Sequence, residues 1–502
     1  MNNNTRTFNT KKNLINGLIN MVLVILLSFA TRTIFVKILS TEYLGINGLY
    51  SNILNLLALS ELGLSNIALF SLYKPLAEKN EEKISQLVSF FDKVYHCIFV
   101  IIILFGIMLI PLLKYILNTE LEMKELIIYY LLYLISTSIS YIGISRQILI
   151  NADQRIYVTK NATTLFNIIQ NILQIITLFV FKNYYMYLII QLICNLSLNL
   201  FLIFKANRLY PFLNSKAILP KKEKISILKR TKDLFVYKIS VVIINCTDNI
   251  FISALLGTSI VGYYSNYAMV IGVFTTIMTT IINSINSSIG NLNVTSSNEK
   301  KINIFYNLLF IMQWIVGFFS AGMIIMFNDF ISLWIGEDYK LSFAAIIVIV
   351  LNFYLQNIIN PIWMYRESLG LFKEVKPFMF MAALLNILLT YILGKTIGLP
   401  GIFLATIFSR LFTVVWYEPI LLFKKNLRTR VGKYYLSQIL YITIFAITTI
   451  LIYFVTRNLT INSLISFALK GLIITLLFNL IYLLIFFKNH NFKFIVKKIL
   501  NK

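Results

Sequence analysis

Along most of its length the chain alternates long apolar runs with short polar connections. Segments such as "VLVILLSFA" (22–30), "IFVIIILFGIMLIPLL" (98–113) and "LIITLLFNLIYLLIFF" (472–487) have almost no polar period. About 20 consecutive apolar residues make a helix long enough to cross a bilayer. Fourteen such spans are predicted, at 13–39, 44–72, 86–113, 125–150, 158–181, 184–206, 232–257, 261–290, 303–327, 341–365, 375–394, 398–423, 434–456 and 462–487. The first is too long for the core of a signal peptide and no small-residue cleavage site follows it, so it is expected to stay in the mature protein.

Composition agrees. Of 502 residues, 58% are hydrophobic and only 13% charged, with mean hydropathy +0.79. A soluble domain carries about a quarter charged residues. The fold class is therefore an all-α polytopic membrane protein. Cys97, Cys194 and Cys246 lie far apart in apolar runs, with neither disulfide nor metal spacing.

The net charge of +25 follows the loops. With the N-terminus in the cytoplasm, 31 of the 45 Lys and Arg residues fall on cytoplasmic segments and six outside. That asymmetry places both termini in the cytoplasm. It also gives the basic loops anionic membrane lipids as partners. No basic segment is interleaved with aromatics on a soluble domain, which argues against nucleic acid.

Eight basic residues remain: Arg32, Lys37, Lys93, Arg146, Lys238, Arg366, Arg410 and Lys470. Lys37, Arg146 and Arg366 lie close enough to span ends to snorkel, whereas Arg32 and Arg410 lie deeper. Glu61 and Asp248 are the deep acids, with Asp92 shallower. A charge at the bilayer centre costs about 2.5–3.5 kcal/mol on insertion scales, so such residues face a partner or a wet cavity.

Shifted by 217 positions, "LSTEYLGINGLY" (39–50) falls on "LGTSIVGYYSNY" (256–267), matching Leu39, Thr41, Gly45 and Tyr50 with Leu256, Thr258, Gly262 and Tyr267. Two parallel six-helix copies are expected, with spans thirteen and fourteen appended. The expected division is 1–207, a basic linker 208–231, a second bundle 232–423, and 424–502 for the last two spans and the tail. In this alignment Asp248 falls on Thr31 and Asn249 on Arg32. The acid and the base thus take nearly equivalent depths on equivalent helices, where they either pair or take substrate.

The stretches "RTIFVKILSTEYLGINGLYSNILNLLALSELGLSNIALFSLYKPLAEKNEEKI" (32–84), "LINADQRIYV" (149–158), "TDNIFISALLGTSIVGYYSNY" (247–267), "RESLGLFKEVKP" (366–377) and "GLPGIFLATIFSRLFTVVWYEP" (398–419) together resemble the Wzx-type polysaccharide flippases of bacteria. The resemblance runs over essentially the whole chain. Its superfamily also holds multidrug/cation antiporters and the lipid II flippase. It implies two six-helix bundles around a central cavity open to alternate sides, and transport of a polyprenyl-pyrophosphate-linked oligosaccharide for capsule or exopolysaccharide assembly.

On that resemblance Arg32 and Arg410 are the foremost pyrophosphate candidates. Arg146 and Arg366 either receive the head group at the cytoplasmic gate or anchor helix ends to lipid phosphates. Tyr50, Asn52, Tyr264 and Tyr267 are candidates for the glycan lining, or else interfacial and packing residues. Glu61 and Asp248 are candidates for coupling to a proton or sodium ion, with membrane potential as the other drive; Glu61 otherwise hydrogen-bonds a neighbouring helix. No cofactor is expected. The polysaccharide polymerase and glycosyltransferases are the expected protein partners. The second span has no arginine beyond Arg32-Thr33 of the first, which argues against lipid II as main substrate.

Other classes fit less well. The longest connection, about 25 residues, is basic and carries no nucleophile–base constellation, so an enzyme is not expected. No phosphate-cradling Gly-rich loop with a following Lys-Ser/Thr is present, so ATP is not the drive. The main rival is an ion-coupled exporter of small cationic molecules, which calls for acids to dominate the deep charges.

Overall fold

A computed structural model describes residues 3–58, 63–213 and 217–500. Among these the secondary structure is helical, with no strand. The chain divides into two compact units, Met1–Gly262 and Tyr263–Lys502. The seventh expected span therefore joins the first unit.

The first unit holds α1 (Asn3–Ile38), α2 (Thr41–Leu57), α3 (Leu64–Ala77), α4 (Glu81–Leu109), α5 (Leu113–Ile116), α6 (Met123–Ile139), α7 (Ile144–Ala152), α8 (Ile156–Phe181), α9 (Tyr184–Leu209), α10 (Lys221–Cys246) and α11 (Asp248–Leu256). The next helix, α12 (Thr258–Thr295), crosses the unit boundary. The second unit continues with α13 (Asn298–Ile335), α14 (Phe343–Ile358), α15 (Asn360–Ser368), α16 (Phe372–Ile397), α17 (Leu399–Leu411), α18 (Val414–Leu422), α19 (Gly432–Thr456), α20 (Leu464–Phe486) and α21 (His490–Leu500).

Each expected span falls on a helix or a pair of consecutive helices. Among the described residues eleven helices are long and apolar enough to cross a membrane, or twelve if α6 and α7, bent by 41°, form one span. The first two expected spans fall on α1 and on α2 with α3; residues 59–62 between that pair lie outside the described residues, Glu61 among them. Helices dominate because a backbone in hydrocarbon must satisfy its polar groups internally. Exposed side chains such as Phe179, Phe204, Leu464 and Leu484 present the apolar surface that lipid requires.

Several spans are broken, and the breaks follow the sequence. The hydroxyl of Thr247 donates back to the Ile243 carbonyl at 2.8 Å, where α10 gives way to α11. Such back-bonding bends helices. Gly257 then ends α11 at φ +111°, a conformation open to glycine, and its N–H donates to the carbonyls of Ile252 and Ser253. Pro361 opens α15 just past the end of α14.

Within the first unit α1 packs on α8, α8 on α9, α6 on α9, and α10 and α11 on α2. The core of the second unit gathers around α13, with Phe305, Met312, Val316, Tyr354, Phe445 and Phe478 buried together. Tyr354 and Phe445 stack at 4.3 Å.

Candidate functional site

Arg32 sits near the C-terminal end of α1 and is half-buried. The phenols of Tyr133 on α6 and of Tyr184 and Tyr187 on α9 lie close enough to interact electrostatically with its guanidinium. These rings belong to a larger aromatic cluster. Phe35 meets Tyr187 at 5.2 Å, Tyr43 meets Tyr184 at 5.2 Å, and Tyr129 meets Tyr184 at 5.0 Å. The loop before α9 sets Tyr184 in place: the Asn183 side chain accepts from the Tyr185 N–H at 2.7 Å and caps the helix.

Asp248 is buried in the first turn of α11. The positive end of the helix dipole favours a carboxylate there. Its neighbour Asn249 donates to the Gly48 carbonyl of α2 at 3.4 Å. Thr31, the counterpart of Asp248 in the repeat, donates to Asn171 Oδ1 of α8 at 2.5 Å. Arg32 and Asp248 thus lie in the same compact unit, on helices that both engage α2.

Arg146, in the first turn of α7, is spoken for. Its guanidinium holds Asp92 of α4 at 2.9 Å and donates to Asn207 of α9 at 3.1 Å. Ser145 donates to the other Asp92 oxygen. A polar cavity of about 240 Å³ opens beside this knot, lined by Ser85, Ser89, Asn207 and Tyr210. Arg366 has a similar fate in the second unit. It is 1% exposed and ion-paired at 2.7 Å with Glu418 of α18, itself fully buried, and at 3.2 Å with Glu367. A side chain so enclosed does not snorkel. The structure shows a buried pair instead, on α15 where it packs against α18.

Lys470 likewise reaches Asp329 of α13 at 2.8 Å. Arg410 is half-buried in the last turn of α17, just before the break at Thr413.

The aromatic and amide candidates separate by exposure. Tyr50 is fully buried; its hydroxyl donates to the Leu126 carbonyl at 2.8 Å, and its ring packs edge-on against Tyr130 and Tyr133. Tyr267 is equally buried. Its hydroxyl donates to Asn328 Oδ1 at 2.5 Å and accepts from the Leu341 N–H at 2.9 Å. Both tyrosines are packed among neighbouring side chains. Asn52 and Tyr264 are half-buried, with Tyr264 against Phe403 at 4.8 Å. Glu61 lies outside the described residues.

Sequence reasoning passed over Glu418 and the tyrosines around Arg32. Glu418 carried the same signal as Asp248, a carboxylate inside an apolar run. The tyrosines carried none, because Tyr133, Tyr184 and Tyr187 come together only through the packing of α6 on α9.

No family model and no curated protein matches this chain. Solved structures do. A lipid II flippase MurJ in an inward closed conformation superposes with TM-score 0.68 at 18% identity, over 94% of this chain and 98% of that one. An inward-facing multidrug resistance MATE family transporter of the MOP superfamily gives 0.61 at 15% identity, over 78% and 92%. A MATE protein in complex with MaL6 gives 0.54 at 12% identity, over 81% and 94%. This is a multi-pass membrane protein with the fold that these MOP-superfamily transporters share.

Proposed function

We propose that the protein is a flippase that moves polyprenyl-pyrophosphate-linked oligosaccharides from the cytoplasmic to the outer leaflet of a bacterial plasma membrane, for assembly of a surface polysaccharide. The polyprenyl tail stays in lipid throughout. The head group needs a polar path, since each unpaired hydroxyl costs about 2–7 kcal/mol in hydrocarbon and an isolated charge far more. Transport runs by alternating access without ATP, drawing on a proton, sodium or the membrane potential. Both termini lie in the cytoplasm, where the basic loops meet anionic lipid.

The charge balance within the spans carries this proposal. Asp92, Glu418 and Asp329 are each held by an arginine or lysine. Arg32 rests among tyrosines. In this reading the guanidinium of Arg32 exchanges its present surroundings for the head group, with whose pyrophosphate it forms a bidentate pair. The fold of a lipid II flippase supports the choice of a lipid-linked cargo.

A second reading draws on the MATE fold: export of small cations, with Asp248 as the binding acid. Deletion of the gene separates the two. The flippase reading expects loss of surface polymer with lipid-linked repeat units accumulating on the cytoplasmic leaflet. Normal polymer in a strain without a paralogue, together with sensitivity to cationic drugs, would favour the exporter.

A further inference from the structure

In the second unit, α12 has an exposed face unlike that of a helix set against lipid. Its stretch Thr258–Asn286 is apolar enough overall to cross a membrane. One side of the helix sends Met278, Ile289 and Leu292 into the core of the unit. The other exposes Thr275, Thr276, Thr279, Thr280, Asn283 and Ser284, at spacings of three and four that gather them on one broad face. Among the described side chains no large apolar residue is exposed on α12, whereas α8 exposes Leu165, Ile172 and Phe179. No Asp, Glu, Lys, Arg or His falls between Asp248 and Glu299.

Polar groups within a span are costly against lipid and are retained where they face water or a ligand. The hydroxyls of Thr275, Thr276, Thr279 and Thr280 donate to the carbonyls four residues back at 2.7–2.9 Å. Their protons are thereby spent, and what each oxygen has left to offer is acceptor capacity. Such back-bonding would by itself let a threonine rest against lipid. The amides of Asn283 and Asn291 have no such shelter: both residues are exposed, with no side-chain hydrogen-bond partner among the described residues. The face is thus rich in acceptors, supplies amide donors and bears no charge of its own.

We propose that this face of α12 carries the oligosaccharide of the lipid-linked cargo, with sugar hydroxyls donating to the threonine oxygens and exchanging hydrogen bonds with Asn283 and Asn291. The inference rests on the flippase reading for the identity of the cargo. The chemistry selects the glycan over the other parts of that molecule. A hydroxyl both donates and accepts, so it complements acceptor oxygens and amides alike. A pyrophosphate only accepts and gains nothing from oxygens whose protons are spent. The polyprenyl chain has no polar group to offer, and a cationic drug finds no carboxylate on this face.

The test is cysteine labelling of the full chain in lipid nanodiscs, with Cys97, Cys194 and Cys246 replaced by alanine. Thr279→Cys and Asn283→Cys are expected to react with a water-soluble maleimide, and Leu173→Cys on the apolar face of α8 is not. Lipid-linked oligosaccharide extracted from a strain lacking the gene should slow both reactions several-fold, whereas polyprenyl pyrophosphate without sugar should leave them unchanged. Thr276→Val with Thr280→Val keeps the shape and removes two oxygens. It should raise the amount of oligosaccharide lipid needed for protection several-fold at an unchanged unfolding temperature, and Thr276→Ser with Thr280→Ser should not. Unreactive cysteines, equal slowing by the two lipids, no slowing by either, or unaltered protection in the valine variant each overturn the proposal. If the chain without its native cysteines does not fold, flipping in proteoliposomes decides: the valine variant should move the full oligosaccharide several-fold more slowly than the wild type and a carrier with a single sugar equally fast, and equal rates for both cargoes overturn the proposal. Protection by the glycan in a chain that moves no lipid-linked cargo would leave the face standing and remove the flippase reading; transport without protection would do the reverse.

Discussion

Gly45 and Gly262, 217 positions apart, each lie against the threonine that opens the other's helix. A Cβ on Gly45 would stand 1.9 Å from the carbonyl oxygen of Thr258, and one on Gly262 would stand 2.2 Å from that of Thr41. Thr41 begins α2 and Thr258 begins α12, again 217 apart. The connection between α5 and α6 binds both junctions: Thr258 N–H donates to the Asn118 carbonyl at 3.0 Å, and Glu42 accepts from the Thr119 hydroxyl at 2.7 Å.

Either glycine changed to alanine should therefore force backbone apart. Overpacking typically costs about 1–3 kcal/mol. Gly45→Ala and Gly262→Ala are each expected to lower the unfolding temperature in detergent. Gly290→Ala, where an added Cβ meets nothing within 4 Å, should not. Equal unfolding temperatures for all three would mean that the close approach carries no weight.

The buried Arg366–Glu418 pair predicts a non-additive cycle. Removing one partner of a buried pair costs about 3–5 kcal/mol, because the other charge is left uncompensated, while an apolar replacement of both is often neutral. Glu418→Leu alone should destabilise strongly, and Arg366→Met with Glu418→Leu should recover much of the loss. Thermal unfolding of the two singles and the double measures the coupling; strict additivity would contradict the pair.

Arg32 distinguishes substrate binding from structure. Arg32→Ala is expected to abolish polymer export. Arg32→Lys should retain part of it, since the charge remains while the bidentate fork is lost. The swap Arg32→Asp with Asp248→Arg should stay inactive if Arg32 meets pyrophosphate directly, and regain activity if the two residues act only as a pair. Full export by Arg32→Ala would reduce the residue to a structural role.

The apolar runs made most of the fold legible, because hydrocarbon leaves the backbone few choices besides a helix. The break at Asp248 was not: 232–257 reads as one apolar span, and the structure divides it into α10 and α11 at Thr247. The site was less so. Exposure along a helix depends on which neighbour covers each face, and Tyr50 and Tyr267, polar by type, turned out to spend their hydroxyls on neighbouring carbonyl, amide and asparagine groups. Arg146 and Arg366 were visible as charges near span ends, but their partners Asp92 and Glu418 come from other helices. Only tertiary packing joins them.

Topology offers an independent check. The connection between α9 and α10 is expected in the cytoplasm and Glu337–Tyr339 outside. Ser215→Cys, in a stretch outside the described residues, should resist an impermeant thiol reagent in intact cells, whereas Asp338→Cys should react. The reverse pattern would invert the orientation.

The most direct measurement of the central claim is flipping in proteoliposomes. The purified chain would be reconstituted with lipid-linked oligosaccharide extracted from a strain lacking the gene, and the fraction of glycan open to an impermeant glycosidase followed with time. The account predicts that the protein, without ATP, exposes glycan initially confined to the inner leaflet, and that Arg32→Ala does not. An exposure rate equal to that of protein-free vesicles, from preparations that stay folded and are energised by a proton or sodium gradient and a membrane potential, would contradict it.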